Sequence, residues 1–412
     1  MKNKNSGEFN RFSFGPMLSM LICFGKIVLF SQNHFHGEIA MNDRLTVPFD
    51  LHFNANPKPL LLIHNGNETI SMRFIKRKKD TLYFEFPEIA GQLVFHGTTH
   101  RGYWLNLNKI APKYYPFQFY LPLDQKNPRL DLTLDTQPSN YSGKYRVRFN
   151  EGASSFNAVG EFEQAGSQVT GTFRTATGDY RYLSGGVVND TLILSCFDGV
   201  HAFRFEAKKL AVDSIEGVFY SGATYRATWQ AVVDTNATLS SPFGLSYPID
   251  ATLPLVLKVK TMKGKNRTLS DNDFRGHPTV IQLMGTWCPN CLDETRYFVT
   301  LKQQPEFEQV RFILVAFENG MTDKDRLKRL KRYTQKIGLN YPAFLGGEAT
   351  TKKAGTVFNA LNGVFAFPTT LFLTKQGIIK QVHVGFDGPG TGNHFEELKR
   401  DFEELLRQLV QE

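Results

Sequence analysis

From about Asn33 to Val233, apolar and polar residues alternate in short, aromatic-rich runs broken by Gly, Asn and Asp. A period of two with such punctuation is the pattern of antiparallel strands joined by hairpins. Residues 144–149, 168–173, 191–194 and 202–205 are clear examples, and Asn189-Asp190 supplies a turn signal. At least eight runs fall between Tyr141 and Val233, so residues 140–233 are expected to form an antiparallel β barrel or sandwich. Residues 33–135 read as a preceding β-rich domain or subdomain. Asp80-Thr81-Leu82 with a later Gly102-Tyr103-Trp104 echoes Asp190-Thr191-Leu192 with a later Gly217-Val218-Phe219. Two related β units and chance recurrence both account for this echo.

The texture changes after residues 234–250, a stretch rich in Thr, Ser, Asn and Pro that reads as a linker. Apolar runs at 279–284, 310–317, 369–374 and 378–384 now alternate with amphipathic stretches at 292–303, 325–337, 352–361 and 394–409. Strands alternating with helical periods predict a sheet with crossover helices over residues 253–412. Gly377 between the last two runs predicts a hairpin, leaving that pair antiparallel. The expected architecture is multidomain: an all-β N-terminal region, barrel or sandwich, followed by an α/β fold.

Composition changes this picture only at the N-terminus. The chain has 412 residues, 41% of them hydrophobic, and a formal charge of +9. Lys2, Lys4, Arg11 and Lys26 against Glu8 place three of those charges in the first 31 residues, and the remaining excess is too small to argue for nucleic acid. An apolar run from Phe12 to Phe30 behind a basic start, with Ser31 as a small residue at the cleavage point, reads as a signal peptide over residues 1–31. The protein is therefore expected in the periplasm or cell envelope. A membrane-anchored form is the alternative, disfavoured by Lys26 because a charge within a short span costs about 3 kcal/mol. Lipidation at Cys23 is disfavoured by the bulky Ile22 before it.

Four cysteines in so long a chain exclude a disulfide-stapled scaffold. Cys196 reads as an inert buried thiol. Cys288 and Cys291 form a CxxC after a strand and at the opening of a helix. Unpaired N–H groups and the helix dipole at that position favour a thiolate on Cys288, and Pro289 suits the first helical turn. Two intervening residues place both sulfurs on one turn, so that attack of Cys291 on a mixed disulfide is intramolecular. A zinc site lacks the remaining ligands, and a loop this short gives a purely structural disulfide little to constrain. His34 and His36 offer at most a loose metal site, and no metal is expected. The basic stretch Lys324, Arg326, Lys328, Arg329, Lys331 and Arg332 is expected to be a solvated helix face.

Gly285-Thr286-Trp287-Cys288-Pro289-Asn290-Cys291 with the downstream Phe367-Pro368-Thr369-Thr370 resembles the thioredoxin superfamily, specifically TlpA-like exported disulfide reductases. The likeness covers about residues 253–412 and implies a thioredoxin-like fold with a central mixed sheet. Thr177-Gly178-Asp179-Tyr180-Arg181-Tyr182 and Ser195-Cys196-Phe197-Asp198-Gly199 are similar to the N-terminal extension of some TlpA-like proteins of Bacteroidetes, a match that says little about activity. The resemblance implies that Pro368 is a cis-proline facing the CxxC, and that Trp287, Pro289, Phe367 and Pro368 meet the substrate. Phe367 departs from the Thr or Val often found before that proline. Gln282 stands where thioredoxins commonly carry a proton-accepting Asp. Glu294, three residues after Cys291 and on the same helical face, is expected to move the proton instead, as its counterpart in the family implies. Asp293 is expected on the solvated surface.

Catalysis is thus expected from Cys288, Cys291 and Glu294, with no cofactor beyond the redox-active disulfide. Disulfide-containing proteins are the expected substrates, and a membrane thiol relay the electron donor. A binding module for an envelope protein or glycan, carried by the β region, is the alternative from a different class. Peroxidase chemistry of the peroxiredoxin kind is disfavoured because Gly285 stands where that motif needs threonine.

Overall fold

The computed structural model describes residues 34–109, 113–120 and 138–412. The segment read as a signal peptide lies outside them, as does part of the 33–135 unit. No helix among the described residues is long and apolar enough to cross a membrane.

The first sheet contains nine antiparallel strands in the order β4 (Glu68–Ser71), β3 (Leu60–Asn65), β2 (Leu45–Asn54), β1 (His34–Asn42), β9 (Lys113–Tyr120), β8 (Arg101–Asn106), β7 (Gly91–His96), β6 (Thr81–Glu85) and β5 (Arg73–Lys78). Its two edge strands are consecutive in the chain and joined by Met72 alone, so the sheet curls back on itself. Strand β1 shows why the alternation folds this way: Phe35, Gly37, Ile39 and Met41 point inward while the residues between them face out.

The second sheet is a barrel rather than a sandwich. Strand β10 (Gly143–Glu151) pairs with both β11 (Ser154–Ala165) and β18 (Tyr225–Val233), and β11 also pairs with β12 (Gln168–Thr175). The ring continues from β12 through β14 (Leu183–Val188), β15 (Thr191–Phe197), β16 (Ala202–Ala211) and β17 (Ser214–Ser221) to β18. Eight strands thus close, and the two-residue β13 (Gly178–Asp179) hangs outside on β12. Tyr145, Phe149, Phe173, Phe205 and Trp229 fill the interior, as expected for a barrel of this size whose lumen is packed by side chains. The sequence echo falls at equivalent places: β6 and β15 are each sixth in their unit, β8 and β17 each eighth. A Cβ would meet a neighbouring-strand carbonyl oxygen at 2.0 Å at Gly102 and at 2.3 Å at Gly217. Gly171 and Gly185, outside the echo, meet neighbouring-strand carbonyl oxygens at 2.1 and 1.9 Å, so this crowding is general to strand glycines here and does not separate the two accounts of the echo.

The third sheet has seven strands in the order β20 (Asn266–Leu269), β19 (Leu257–Thr261), β23 (Ala343–Glu348), β22 (Arg311–Glu318), β21 (Thr279–Met284), β24 (Thr369–Leu373) and β25 (Ile379–Val384). It is mixed: β21, β22 and β23 run parallel and the other pairings are antiparallel. After the single turn α1 (Asp271–Phe274), helices α2 (Pro289–Leu301), α3 (Asp323–Lys336) and α5 (Asn393–Gln411) cover one face, and α4 (Thr351–Val357) the other. Covering both faces explains why β21 is buried at all six positions and reads as a continuous apolar run. Strands β19, β20 and β23 were not expected, because Lys258, Lys260 and Arg267 or the Gly346-Gly347 pair interrupt their apolar pattern. Residues 234–250 lie along this fold, with Val384 N–H donating to Pro242 O at 3.2 Å and Pro248 bridging Leu361.

The basic helix is not a wholly solvated face, and this corrects the expectation. Lys324, Lys328 and Lys331 are exposed, but Arg329 donates to the Leu107 and Lys109 carbonyls. Arg332 donates to Glu88 O at 3.2 Å and Ile89 O at 3.3 Å, and Lys336 pairs with Glu85. Positions 329, 332 and 336 share one helical stripe; the two arginines satisfy loop carbonyls of the first β unit and Lys336 meets the Glu85 carboxylate on β6.

Candidate active site

Strand β21 delivers the chain into the turn Gly285-Thr286-Trp287, and Cys288 is the N-cap of α2 with Pro289 in its first turn. Cys288 and Cys291 are disulfide-bonded. Cys288 Sγ accepts the Cys291 N–H at 3.2 Å, so the helix end stabilises negative charge on that sulfur. Cys288 is 8% exposed and Cys291 0%, so only the first sulfur can be reached from outside.

The turn is held from behind. Glu318, fully buried at the end of β22, accepts the Thr286 N–H at 2.7 Å and the Thr286 hydroxyl at 2.8 Å. Burial raises its pKa to about 7, against the two Thr286 hydrogen bonds, which lower it. Trp287 Nε1 donates to Phe317 O at 2.9 Å, and its indole folds over Gly285, where a Cβ would lie 2.3 Å from Nε1. Sequence reasoning missed Glu318. The available signal was a charged residue directly after the apolar run, at the carboxyl end of a parallel strand where α/β sites collect.

The Phe367-Pro368 bond is cis, and the Phe367 carbonyl oxygen lies 3.5 Å from Cys288 Sγ. The Phe367 ring packs edge-on to Trp287, centroids 5.8 Å apart, and against Phe317. Its backbone therefore faces the sulfur while its ring extends the aromatic wall.

Behind Cys291 lies an enclosed polar network. Gln282 donates to Cys291 O at 3.1 Å and to Glu294 Oε2 at 2.8 Å, Thr370 donates to Glu294 Oε1 at 2.8 Å, and Thr295 donates to Gln282 Oε1 at 2.9 Å. Glu294 is 0% exposed and its pKa is raised to about 8 by burial, the hydrogen bonds from Thr370 and Gln282 offsetting only part. Both carboxylate oxygens have donors, yet no cation is among them. Cys196 is free and buried, and burial raises its pKa well above the usual thiol value. No cluster of metal-ligating side chains occurs among the described residues.

Asp293 is not on the solvated surface. It is 7% exposed and pairs with Arg181, which also pairs with Glu68 at 2.6 Å and faces Asp198 at 3.5 Å. One buried guanidinium thus ties together the first sheet, the barrel and α2, where a carboxylate without a cation would be costly. Thr177 to Tyr182 lie beside the CxxC: Asn290 Nδ2 donates to Asp179 O at 3.1 Å, and Gly388 N–H donates to Asp179 Oδ2 at 2.6 Å.

Residues 234–400 match the Redoxin family. The chain is 28% identical over 124 residues to the thiol-disulfide oxidoreductase ResA of Geobacillus kaustophilus, covering 30% of this chain and 63% of that protein. It is 26% identical over 133 residues to the thiol:disulfide interchange protein DsbE of Haemophilus influenzae, covering 32% and 65%. The chain thus spans just under two thirds of the length of these curated relatives. A solved thiol:disulfide interchange protein of the thioredoxin family from Chlorobium tepidum aligns at 21% identity and TM-score 0.27, covering 38% of this chain and 97% of that one. With its CxxC at the N-terminus of α2 and its mixed sheet, the C-terminal part of the chain is a Redoxin domain whose curated relatives are thiol-disulfide oxidoreductases and interchange proteins.

Proposed function

We propose that the protein is an exported reductase of protein disulfides that cycles Cys288 and Cys291 between dithiol and disulfide. The observation that carries this reading is the asymmetry of the pair: Cys288 reachable at a helix N-terminus, Cys291 enclosed beside the network of Glu294. The Cys288 thiolate attacks one sulfur of a substrate disulfide, forming a mixed disulfide and releasing the other sulfur as a thiol. Cys291 then gives up its proton and attacks Cys288 Sγ, releasing the second substrate thiol and leaving the Cys288–Cys291 disulfide. Two electrons and two protons pass to the substrate. A membrane thiol relay would return the electrons.

Glu294 is the proposed proton carrier for Cys291. Burial raises its pKa to about 8, out of the usual carboxylate range and toward that of a thiol, which brings a proton acceptor and the resolving sulfur closer in basicity. Trp287, Pro289, Phe367 and cis-Pro368 are the proposed substrate face around Cys288.

Insulin-disulfide reduction tests the reading. The wild type should turn over, Cys288→Ser should be inactive, and Cys291→Ala should accumulate the mixed disulfide. Equal turnover by wild type and Cys288→Ser would overturn the assignment. A reduction potential near those of strong oxidants, about −120 mV, would reverse the proposed direction.

A further inference from the structure

The redox sulfur does not face open solvent. A cleft of about 600 Å³ lies over it, with one wall from the Redoxin domain and the other from the barrel. Trp287 and Phe367 line the first wall; Phe156, Tyr180 and Phe203 line the second. The barrel wall is fixed in place. Arg174 donates to Asp387 Oδ2 at 2.7 Å, and His394 meets Glu161 at 3.2 Å. A Cβ on Gly385, whose φ is +82°, would come within 2.4 Å of the Thr177 carbonyl carbon, so the two backbones are in direct apposition. Apart from the redox cysteine and Tyr180, the only titratable residues lining the cleft are His201 and Asp179, and Asp179 already accepts from Gly388 and Arg181 N–H groups.

We propose that the barrel forms half of the substrate site, and that this site takes an extended, uncharged polypeptide segment whose disulfide cysteine is flanked by an aromatic or large apolar side chain. The inference rests on the Cys288–Cys291 exchange proposed above and names its substrate class. Three observations support it. A cleft of this volume falls in the range of about 300–1,000 Å³ that encloses small ligands, which admits a few residues and excludes a folded surface. Five Phe, Tyr and Trp rings line it, offering offset or edge-on contacts to an aromatic neighbour of the cysteine. No Lys or Arg lines it, so a carboxylate-rich disulfide such as oxidised glutathione would lose its hydration without gaining a counter-ion.

The test uses full-length protein, reduced chemically and freed of the reductant, in single turnover against three disulfides. These are a neutral peptide with Phe beside its cysteine, the same peptide with Asp in place of Phe, and oxidised glutathione. The neutral aromatic peptide should react at least about tenfold faster than either of the others. Equal rates for the three would overturn the inference while leaving the exchange reading intact; rates unchanged by Cys288→Ser would overturn the exchange reading itself. Half-buried Phe156 on the barrel wall gives a second readout. Phe156→Ser should reduce the preference for Phe over Asp by several-fold and Phe156→Tyr should restore it, and an unaltered preference in a folded Phe156→Ser protein would show that the barrel takes no part.

Discussion

Replacing Glu294 with Gln separates two properties that burial gives this carboxyl. In the folded protein its pKa is about 8, against 4.5 for an unperturbed Glu. Below pH 4.5 the group is neutral in both folded and unfolded chains and does not affect folding. Between pH 4.5 and 8 the unfolded chain ionises while the folded one holds its proton, so stability falls as pH rises, and the loss is complete above 8. A difference of 3.5 in pKa corresponds to about 5 kcal/mol. The introduced amide can still accept from Gln282, and the Thr370 hydroxyl can rotate to accept from it. Glu294→Gln should therefore gain up to about 5 kcal/mol over wild type between pH 4.5 and 9. Denaturant midpoints of the oxidised protein measure this, because the bonded Cys288 and Cys291 do not titrate there and contributions from Glu318 and Cys196 cancel between the two proteins. In the same variant, decay of the mixed disulfide at pH 7 should slow by about 10²-fold, the usual contribution of a positioned acid or base, and the inflection near pH 8 should vanish from its pH profile. Parallel stability curves together with an unchanged inflection would refute the reasoning.

Arg181→Met leaves Glu68, Asp198 and Asp293 facing one another without their cation, and should destabilise by about 3–5 kcal/mol at pH 7, read as a lower denaturant midpoint. A change below about 0.5 kcal/mol would show that the carboxylates find other partners. Thr286→Val removes the hydroxyl donor to Glu318 and pushes that carboxyl further above about 7, so its cost of about 1–3 kcal/mol should be largest above pH 7 and shrink below pH 5, where Glu318 is protonated in the folded protein. A pH-independent loss would point to simple misfit of the valine.

Much of the fold was legible along the chain because its signals are local. Alternation of period two marked the β units, and an apolar run ending in CxxC at a helix start marked Cys288 and Cys291, since strand, turn and capping preferences act over a few residues. Glu294 was legible from helical spacing to Cys291, though its burial was not. Closure of the barrel was decided by the pairing of β11 with β12 and of β10 with β18, and the short strands β19, β20 and β23 by their neighbours in the sheet rather than by their own pattern.

What only the tertiary structure decided is where the charges go. Asp293 looked solvated and Arg329 and Arg332 looked like surface, because a charged residue's own neighbours along the chain say nothing about a partner more than a hundred residues away. Arg181 meets Glu68 and Asp293 across separations of 113 and 112 residues, and those contacts bring the barrel against the redox helix. The sequence by itself determined which two sulfurs share one helical turn and form the disulfide. The packing of three sheets around one guanidinium determined what those sulfurs face, because burying a charge is favourable only where the whole fold supplies its counter-charge.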